Sequence, residues 1–273
     1  MEGQAEASEV GTYVHGYNAE HREFLSVRTA ARQADFFLPY LKEGMRLLDC
    51  GCGQGAITTG LAAAILPGEA VGIDMGESQI AAAREWAAAK GQQNVRFEVG
   101  NLYEIPFPDA SFDAVFANTV LEHVDDPGRA MREMRRVLKP GGVVGLADPD
   151  YGTLIQEPST PLSLELRELL LRFSKESGSP FYARNMRRTL LDSGFVRPVS
   201  FVQAYGTHTV EDNRFAIEKV QIPSLEALRP RIVQRGLADA ARIDAMIADA
   251  RAWSERPDGF YALMHCAAVA WAP

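Results

Sequence analysis

Leu47-Leu-Asp-Cys-Gly-Cys-Gly-Gln-Gly55 is an apolar run that ends on an aspartate and then breaks into alternating glycines. The run before the glycines reads as a buried strand over 46–50. The Ala-rich stretch behind them reads as a helix over 56–66, stopped by Pro67-Gly68. A chain that passes from strand to helix in so few residues needs positions without a Cβ. They allow the sharp turn and let a ligand approach the backbone N–H groups. Written as Asp49-x-Gly51-x-Gly53-x-Gly55, the stretch is a ligand-binding turn. Written as Gly51-x-Gly53-x-x-Ala56, it also satisfies the dinucleotide fingerprint. The turn alone leaves both readings open.

Working outward, strands are expected at 70–73, 95–99, 112–117 and 143–147, and helices at 77–90 and 127–138. Gly91 stops the first of these helices, and Lys139-Pro-Gly-Gly142 reads as a turn. Strands alternating with helices predict an α/β, Rossmann-like fold with a mainly parallel sheet covered on both faces. Beyond Asp148 the rhythm slackens. Helices are expected at 162–174 and 184–191, a strand at 196–202, mostly helical chain at 209–257, and a last strand at 260–269. An insertion of that length is better read as a helical lid than as coil. Upstream, 19–41 reads as a helix. The expected organisation is an N-terminal flap and helix over 1–44, then one domain over 45–273. Its lid segments lie at about 150–185 and 206–257.

Four polar residues fall at the carboxyl ends of successive expected strands, where open α/β sheets bind ligands. Asp49 precedes the glycine turn. Asp74, followed by Met75, closes the second strand about 20 residues beyond Gly53, where a carboxylate can accept both hydroxyls of a ribose. Asn101 follows the third strand, and its side-chain carbonyl could accept from an adenine amine with Leu102 packed near the ring. Asn118 ends the fourth strand. A ribose-binding Asp74 serves NAD and S-adenosylmethionine equally, so the convergence of all four residues carries more weight than any one.

Taken in order, Leu47 to Gly55, Val71-Gly-Ile-Asp74, Phe112-Asp-Ala-Val-Phe-Ala-Asn118 with Leu121-Glu-His-Val124, and Leu138-Lys-Pro-Gly-Gly142 resemble the motifs of class I S-adenosylmethionine-dependent methyltransferases. The resemblance covers about 45–148 and is strongest to the ubiquinone/menaquinone-biosynthesis-like branch that modifies small molecules. It implies a seven-stranded sheet with an antiparallel last strand at 260–269. It also implies S-adenosyl-L-methionine as cofactor, with Gly51 and Gly53 facing the methionine portion, Asp74 the ribose, and Asn101 with Leu102 the adenine. Two departures stand out. Asn101 occupies a position where many members carry Asp, and Cys50 and Cys52 replace small or apolar residues.

The chain has 273 residues, 47% of them apolar, and a formal charge of −8, which disfavours a broad electrostatic grip on nucleic acid. A small-molecule acceptor is the easier partner. No apolar run approaches the roughly 18 residues of a membrane span, and no signal-like segment opens the chain. Three cysteines suit a reducing compartment, so cytoplasm is the expectation. Cys50-x-Cys52 lacks the second pair of a zinc set, so no metal is expected.

For catalysis, His123 is the better-placed candidate base and His15 the second. His208 and His265 read as structural. Tyr13, His15 and Tyr17 form a ring-bearing patch expected to close over cofactor and acceptor, excluding water. Arg184, Arg187 and Arg188 are a small basic cluster, more simply a solvated helix face than an anion site. The expected activity is methyl transfer to an oxygen, carbon or nitrogen of a small, mostly apolar metabolite. Competing readings are a nicotinamide-dependent oxidoreductase and a protein that keeps the cofactor but catalyses another reaction, such as a cyclisation. Oligomeric state is open, a homodimer being one option.

Overall fold

The computed structural model describes residues 28–176 and 179–273. Tyr13, His15, Tyr17 and most of the expected N-terminal flap lie outside them. The elements, in chain order, are α1 (Ala30–Gln33), β1 (Arg46–Cys50), α2 (Ala56–Ala64), β2 (Glu69–Asp74), α3 (Glu77–Ala89), β3 (Val95–Val99), β4 (Phe112–Asn118), α4 (Pro127–Val137) and β5 (Leu138–Glu157). They continue as α5 (Pro161–Glu176), α6 (Met186–Asp192), β6 (Val196–Gly206), α7 (Val210–Ala216), α8 (Ile222–Gln234), α9 (Ala240–Ser254) and β7 (Phe260–Trp271).

The strands form one seven-stranded sheet in the order β3-β2-β1-β4-β5-β7-β6. β1 through β5 are parallel, and β7 enters antiparallel between β5 and β6. The fold expected from the strand–helix alternation and the antiparallel last strand is thus present. Leu47, Leu48 and Cys50 of β1 are fully buried on both faces, as a central parallel strand requires. On one face, Leu47, Ala114 and Phe116 pack against Leu61, Ala62 and Ile65 and against the N-terminal segment. On the other, Leu48, Val115 and Leu146 meet Met131, Met134 and Leu190.

Three expectations are corrected. Within the described part of 19–41 the helix is only α1, followed by bends and a 3-10 turn at Leu38–Tyr40. Pro39 has no N–H and disrupts helical bonding. Moreover, Phe37 leaves the helical path to stack on Phe116, with ring centroids 5.5 Å apart. Second, β5 begins at Leu138 and runs 20 residues to Glu157, so 150–157 belongs to the sheet and not to a lid. Pro149 is tolerated because β4 has already ended. Its last partner is Ala147, and beyond that point β5 pairs only with β7. Third, the strand expected at 196–202 runs on to Gly206. Leu225, Leu228, Ile232, Ile243 and Met246 join Phe173 and Trp253 in a separate core, so α5 and α7 to α9 form a helical lobe. Trp253 Nε1 ties that lobe to the chain after β5 by donating to Pro158 O at 3.1 Å.

Candidate cofactor and acceptor site

The carboxyl end of β1 is bound to that of β2 by the glycine turn. Gly51 N and Cys52 N both donate to Ile73 O, at 2.8 and 2.9 Å. Gly53 N donates to Asp74 Oδ2 at 3.0 Å, and Gly76 N to Asp74 Oδ1 at 2.9 Å. Gly51 has φ +73° and lies so close to Val120 that a Cβ there would overlap its methyl groups. The glycines therefore supply space and a left-handed turn. The N–H groups of Gly51, Cys52 and Gly53 are spent on β2, whereas a pyrophosphate cradle turns such groups toward its ligand. That geometry weighs against the dinucleotide reading.

Asp49 is buried beside the turn, and its Oδ2 accepts from Thr58 Oγ1 at 2.6 Å. Burial pushes its pKa up to about 7, against the lowering effects of Thr58 and the Arg28 charge. A second cation near this carboxyl would favour its ionised form. At Asp74 burial also raises the pKa, opposed by the N–H groups of Gly76, Gly53 and Met75. Met75 is exposed next to it, while Leu102 is buried. Asn101 is exposed, and one lone pair of its Oδ1 takes Tyr103 N at 2.9 Å.

Asn118, buried at the end of β4, is the hub of contacts that the sequence does not announce. Its Oδ1 accepts from Arg28 Nη2, and its Nδ2 donates to Gln33 O at 3.3 Å. Arg28 Nη2 also donates to Thr119 Oγ1 at 2.9 Å, and Thr119 holds a left-handed φ of +58°. That conformation aims the following loop back under β5. Val120 N and Glu122 N donate to Asp148 Oδ1, at 2.9 and 3.4 Å. Glu122 and Asp148 are both buried. Burial first, and then the neighbouring Asp148 charge, drive the Glu122 carboxyl well above the usual carboxylate range. Burial also raises Asp148, to about 7, against the N–H groups of Val120, Glu122 and Leu121, so Glu122 holds its proton more firmly than Asp148.

The structure brings Asp49, Gly51, Gly53, Asp74 and Asn118 to one edge of the sheet, together with Arg28, whose charge acts on Asp49, Glu122 and Asp148. His123 is in the 3-10 turn Leu121–His123, its Nε2 3.4 Å from Glu122 Oε1. Arg184 is held by Asp150 through two hydrogen bonds of 2.7 and 2.6 Å, so it is no open anion site. His208 lies at the start of the insertion, its backbone N–H on Asp212. Sequence reasoning missed Arg28, Thr119, Glu122 and Asp148. Glu122 lies within the Leu121-Glu-His-Val124 motif, but nothing in the sequence gives it or the other three these partners.

Comparison with known proteins agrees with this geometry. Residues 41–177 match the family model described as a methyltransferase domain. The Aspergillus luteorubrus protein described as "Probable methyltransferase ltbC" is 29% identical over 98% of this chain and 99% of its own. A protein of Schizosaccharomyces pombe described as "Uncharacterized methyltransferase C1B3.06c" is 31% identical over 67% of this chain and 68% of its own. Among solved structures, phosphoethanolamine N-methyltransferase 2 of Haemonchus contortus, in complex with phosphomonomethylethanolamine and S-adenosylhomocysteine, superposes with a TM-score of 0.52. It is 18% identical and covers 85% of this chain and 49% of that one, a likeness of fold. Among the described residues no helix is long and apolar enough to cross a membrane.

Proposed function

This chain belongs to the class I S-adenosylmethionine-dependent methyltransferases, and from that premise we propose that it methylates an oxygen, carbon or nitrogen atom of a small, mostly apolar metabolite. The observation that carries the reading is the charge arrangement at the glycine turn. Asp49 stands buried on one side, the Arg28 guanidinium is within reach of Asn118 and Thr119 on the other, and Asp74 closes β2. An amino acid zwitterion needs one negative and one positive partner. Asp49 would take the ammonium of the methionine portion and Arg28 its carboxylate, with Gly51 and Gly53 leaving room between them. Asp74 takes the N–H groups of Gly53, Gly76 and Met75 and, with about four lone-pair sites on its carboxylate, keeps acceptor capacity for a ribose hydroxyl. Met75, Asn101 and Leu102 would border the adenine.

The cofactor supplies an electrophilic methyl group on a sulfonium. The chain's share is alignment and exclusion of water, which together account for much of such a displacement. Asn118 and Thr119 fix Arg28, and the Asp148-anchored loop fixes Val120 against Gly51. In this reading the helical lobe closes over the acceptor. His123, the stronger sequence candidate for a base, faces the neutral Glu122.

Calorimetric titration tests the cofactor assignment. S-adenosylmethionine is expected to bind and NADH is not, and the reverse result would return the chain to the oxidoreductases. Transfer of tritium from the labelled methyl to a small-molecule fraction tests the reaction. Label that stayed on the donor while another metabolite was consumed would favour a non-methylating reaction.

A further inference from the structure

His265 is on β7, and the register places its side chain. Asp49 pairs with Phe116, Asn118 with Ala147, Ala147 with Ala267, and Pro149 with His265. Because side chains alternate along a strand, Asp49, Asn118, Ala147, Ala267 and His265 all face the same side of the sheet. His265 lies two residues past Ala267 toward the carboxyl end of β5, on the edge where the cofactor residues gather. Asp148 and Asp150, the register partners of Cys266 and Met264, face the opposite side.

Among the described residues, the groups facing His265 come from β6 and the N-terminal segment. Tyr205 from β6 meets it edge to face, with ring centroids 4.5 Å apart. The Tyr205 hydroxyl is itself occupied, 2.9 Å from Arg32 O and 3.0 Å from Gln203 Oε1. Arg32 lies over the Tyr205 ring, and Asp35 accepts from Gln203. From the N-terminal segment comes Arg28, already fixed on Asn118 and Thr119. Among the described residues no hydrogen bond reaches a ring nitrogen of His265. Burial, and secondarily the Arg28 charge, hold its pKa down at about 4, so at neutral pH the imidazole is uncharged and able to accept a proton. His123 differs: it sits in the loop anchored by Asp148, next to a carboxyl that is already protonated.

We propose that His265 receives the acceptor's proton, and that the acceptor atom is therefore a hydroxyl oxygen or an N–H nitrogen and not a carbon. This rests on the methyl-transfer reading above and narrows it. A neutral imidazole half-buried against Tyr205 needs a donor, and an O–H or N–H supplies one in the ground state where a C–H does not. In the step, the acceptor heteroatom bonds to the methyl carbon while the sulfur–carbon bond breaks, both its electrons remaining on sulfur. The heteroatom's proton passes to His265 and then to water. The site loses the sulfonium charge as His265 gains its own, so no net charge is added next to Arg28.

Two measurements on the full chain test this. With nitrogen-15-labelled histidines, the His265 signals, identified by their loss in His265→Gln, should stay those of a neutral ring down to about pH 4 to 5. They should also shift when S-adenosylmethionine or S-adenosylhomocysteine is added. Indifference of those signals to both compounds overturns the proposal without use of any acceptor. In the second, labelled S-adenosylmethionine and a metabolite extract are incubated with the wild type, His265→Gln and His123→Gln, and products are read by mass spectrometry. The methyl is expected on oxygen or nitrogen. His265→Gln should lower kcat by about 100-fold or more while S-adenosylmethionine affinity stays within about 3-fold, and His123→Gln should cost less than about 10-fold. Methyl on carbon, equal turnover by wild type and His265→Gln, or the larger loss in His123→Gln overturns it and leaves the methyltransferase reading intact. Failure of the wild type to bind S-adenosylmethionine at all would instead sink that reading.

Discussion

The two halves of the sheet are built on different terms. In β3-β2-β1-β4 each functional residue stands at a strand's carboxyl end. Thr58 on the next helix holds Asp49, the Gly53 and Gly76 N–H groups hold Asp74, and only Asn118 takes its partners, Arg28 and Gln33, from far along the chain. In β5-β7-β6 the strands run 20, 12 and 11 residues, past the end of β4, and the side chains that matter meet partners brought from remote parts of the chain. Arg28 joins the halves. The lesson is that a cofactor shared across a family can be held by a local device, whereas an acceptor peculiar to one enzyme is held by whatever the long strands and the lobe bring together.

The comparison is broken most severely at Gly51. Gly51→Val puts a β-branched residue at φ +73° and drives it into Val120. S-adenosylmethionine affinity measured by calorimetry should fall by more than about 100-fold, since both the turn and the loop after β4 must shift. Asp74→Ala comes next. It releases the Gly53 and Gly76 N–H groups and the proposed ribose contact, and bonds to a charged acceptor are worth about 1.5–3 kcal/mol each. A loss of about 10- to 100-fold in the same titration is expected, and unchanged affinity would mean that the cofactor half is misassigned.

A pH series sharpens the contrast. Asp49 has a folded pKa of about 7 against an ordinary 3.8, so between those values the folded chain binds more protons than the unfolded one. The contribution of Asp49 to stability must therefore fall as pH rises from about 4 to about 7 and level off above, the reverse of an ion-paired carboxylate. Asp49→Asn should flatten that fall, giving a thermal midpoint at pH 8 a few degrees above wild type without cofactor, and should weaken S-adenosylmethionine at the same pH. A wild-type midpoint that climbs from pH 5 to 8 relative to that of Asp49→Asn would contradict the buried state of Asp49.

In the other half, Arg184→Ala strips Asp150 of its partner. Asp150 is buried but Arg184 is half exposed, so solvent screens part of the effect, and a loss of about 1–2 kcal/mol is expected. The midpoint should drop by about 2–8 °C with S-adenosylmethionine affinity unchanged. The smallest effect belongs to Glu226→Ala on the helical lobe, where Arg229 retains Asp244. Less than about 1 kcal/mol is expected there, with cofactor affinity again unmoved.

β1 and β3 were legible in the sequence to the residue, because short apolar runs between turn signals leave little choice. β5 was not. The apolar run ends at Ala147, yet the strand continues because Pro149 lies beyond the end of β4, Asp148 Oδ1 accepts from Val120 N and Glu122 N, and Asp150 accepts from Arg184. The helix expected over 19–41 shrank in its described part for a similar reason. Stacking of Phe36 and Phe37 on Phe116 outweighs the local helical pattern.

What the sequence by itself determined is the cofactor half: the strand-turn-helix at Asp49 to Gly55, the acid at the end of β2, and the order of motifs that marks the methyl donor. These are effects of neighbours along the chain, governed by turn sterics and strand periodicity. Tertiary structure alone decided that Arg28 reaches Asn118, that Glu122 lies against Asp148, and that His265 faces the cofactor edge. Those pairs are separated by 90, 26 and more residues, and only sheet register and burial bring them together. Register decides which side of the sheet a side chain takes, and burial decides which of its protonation states survives.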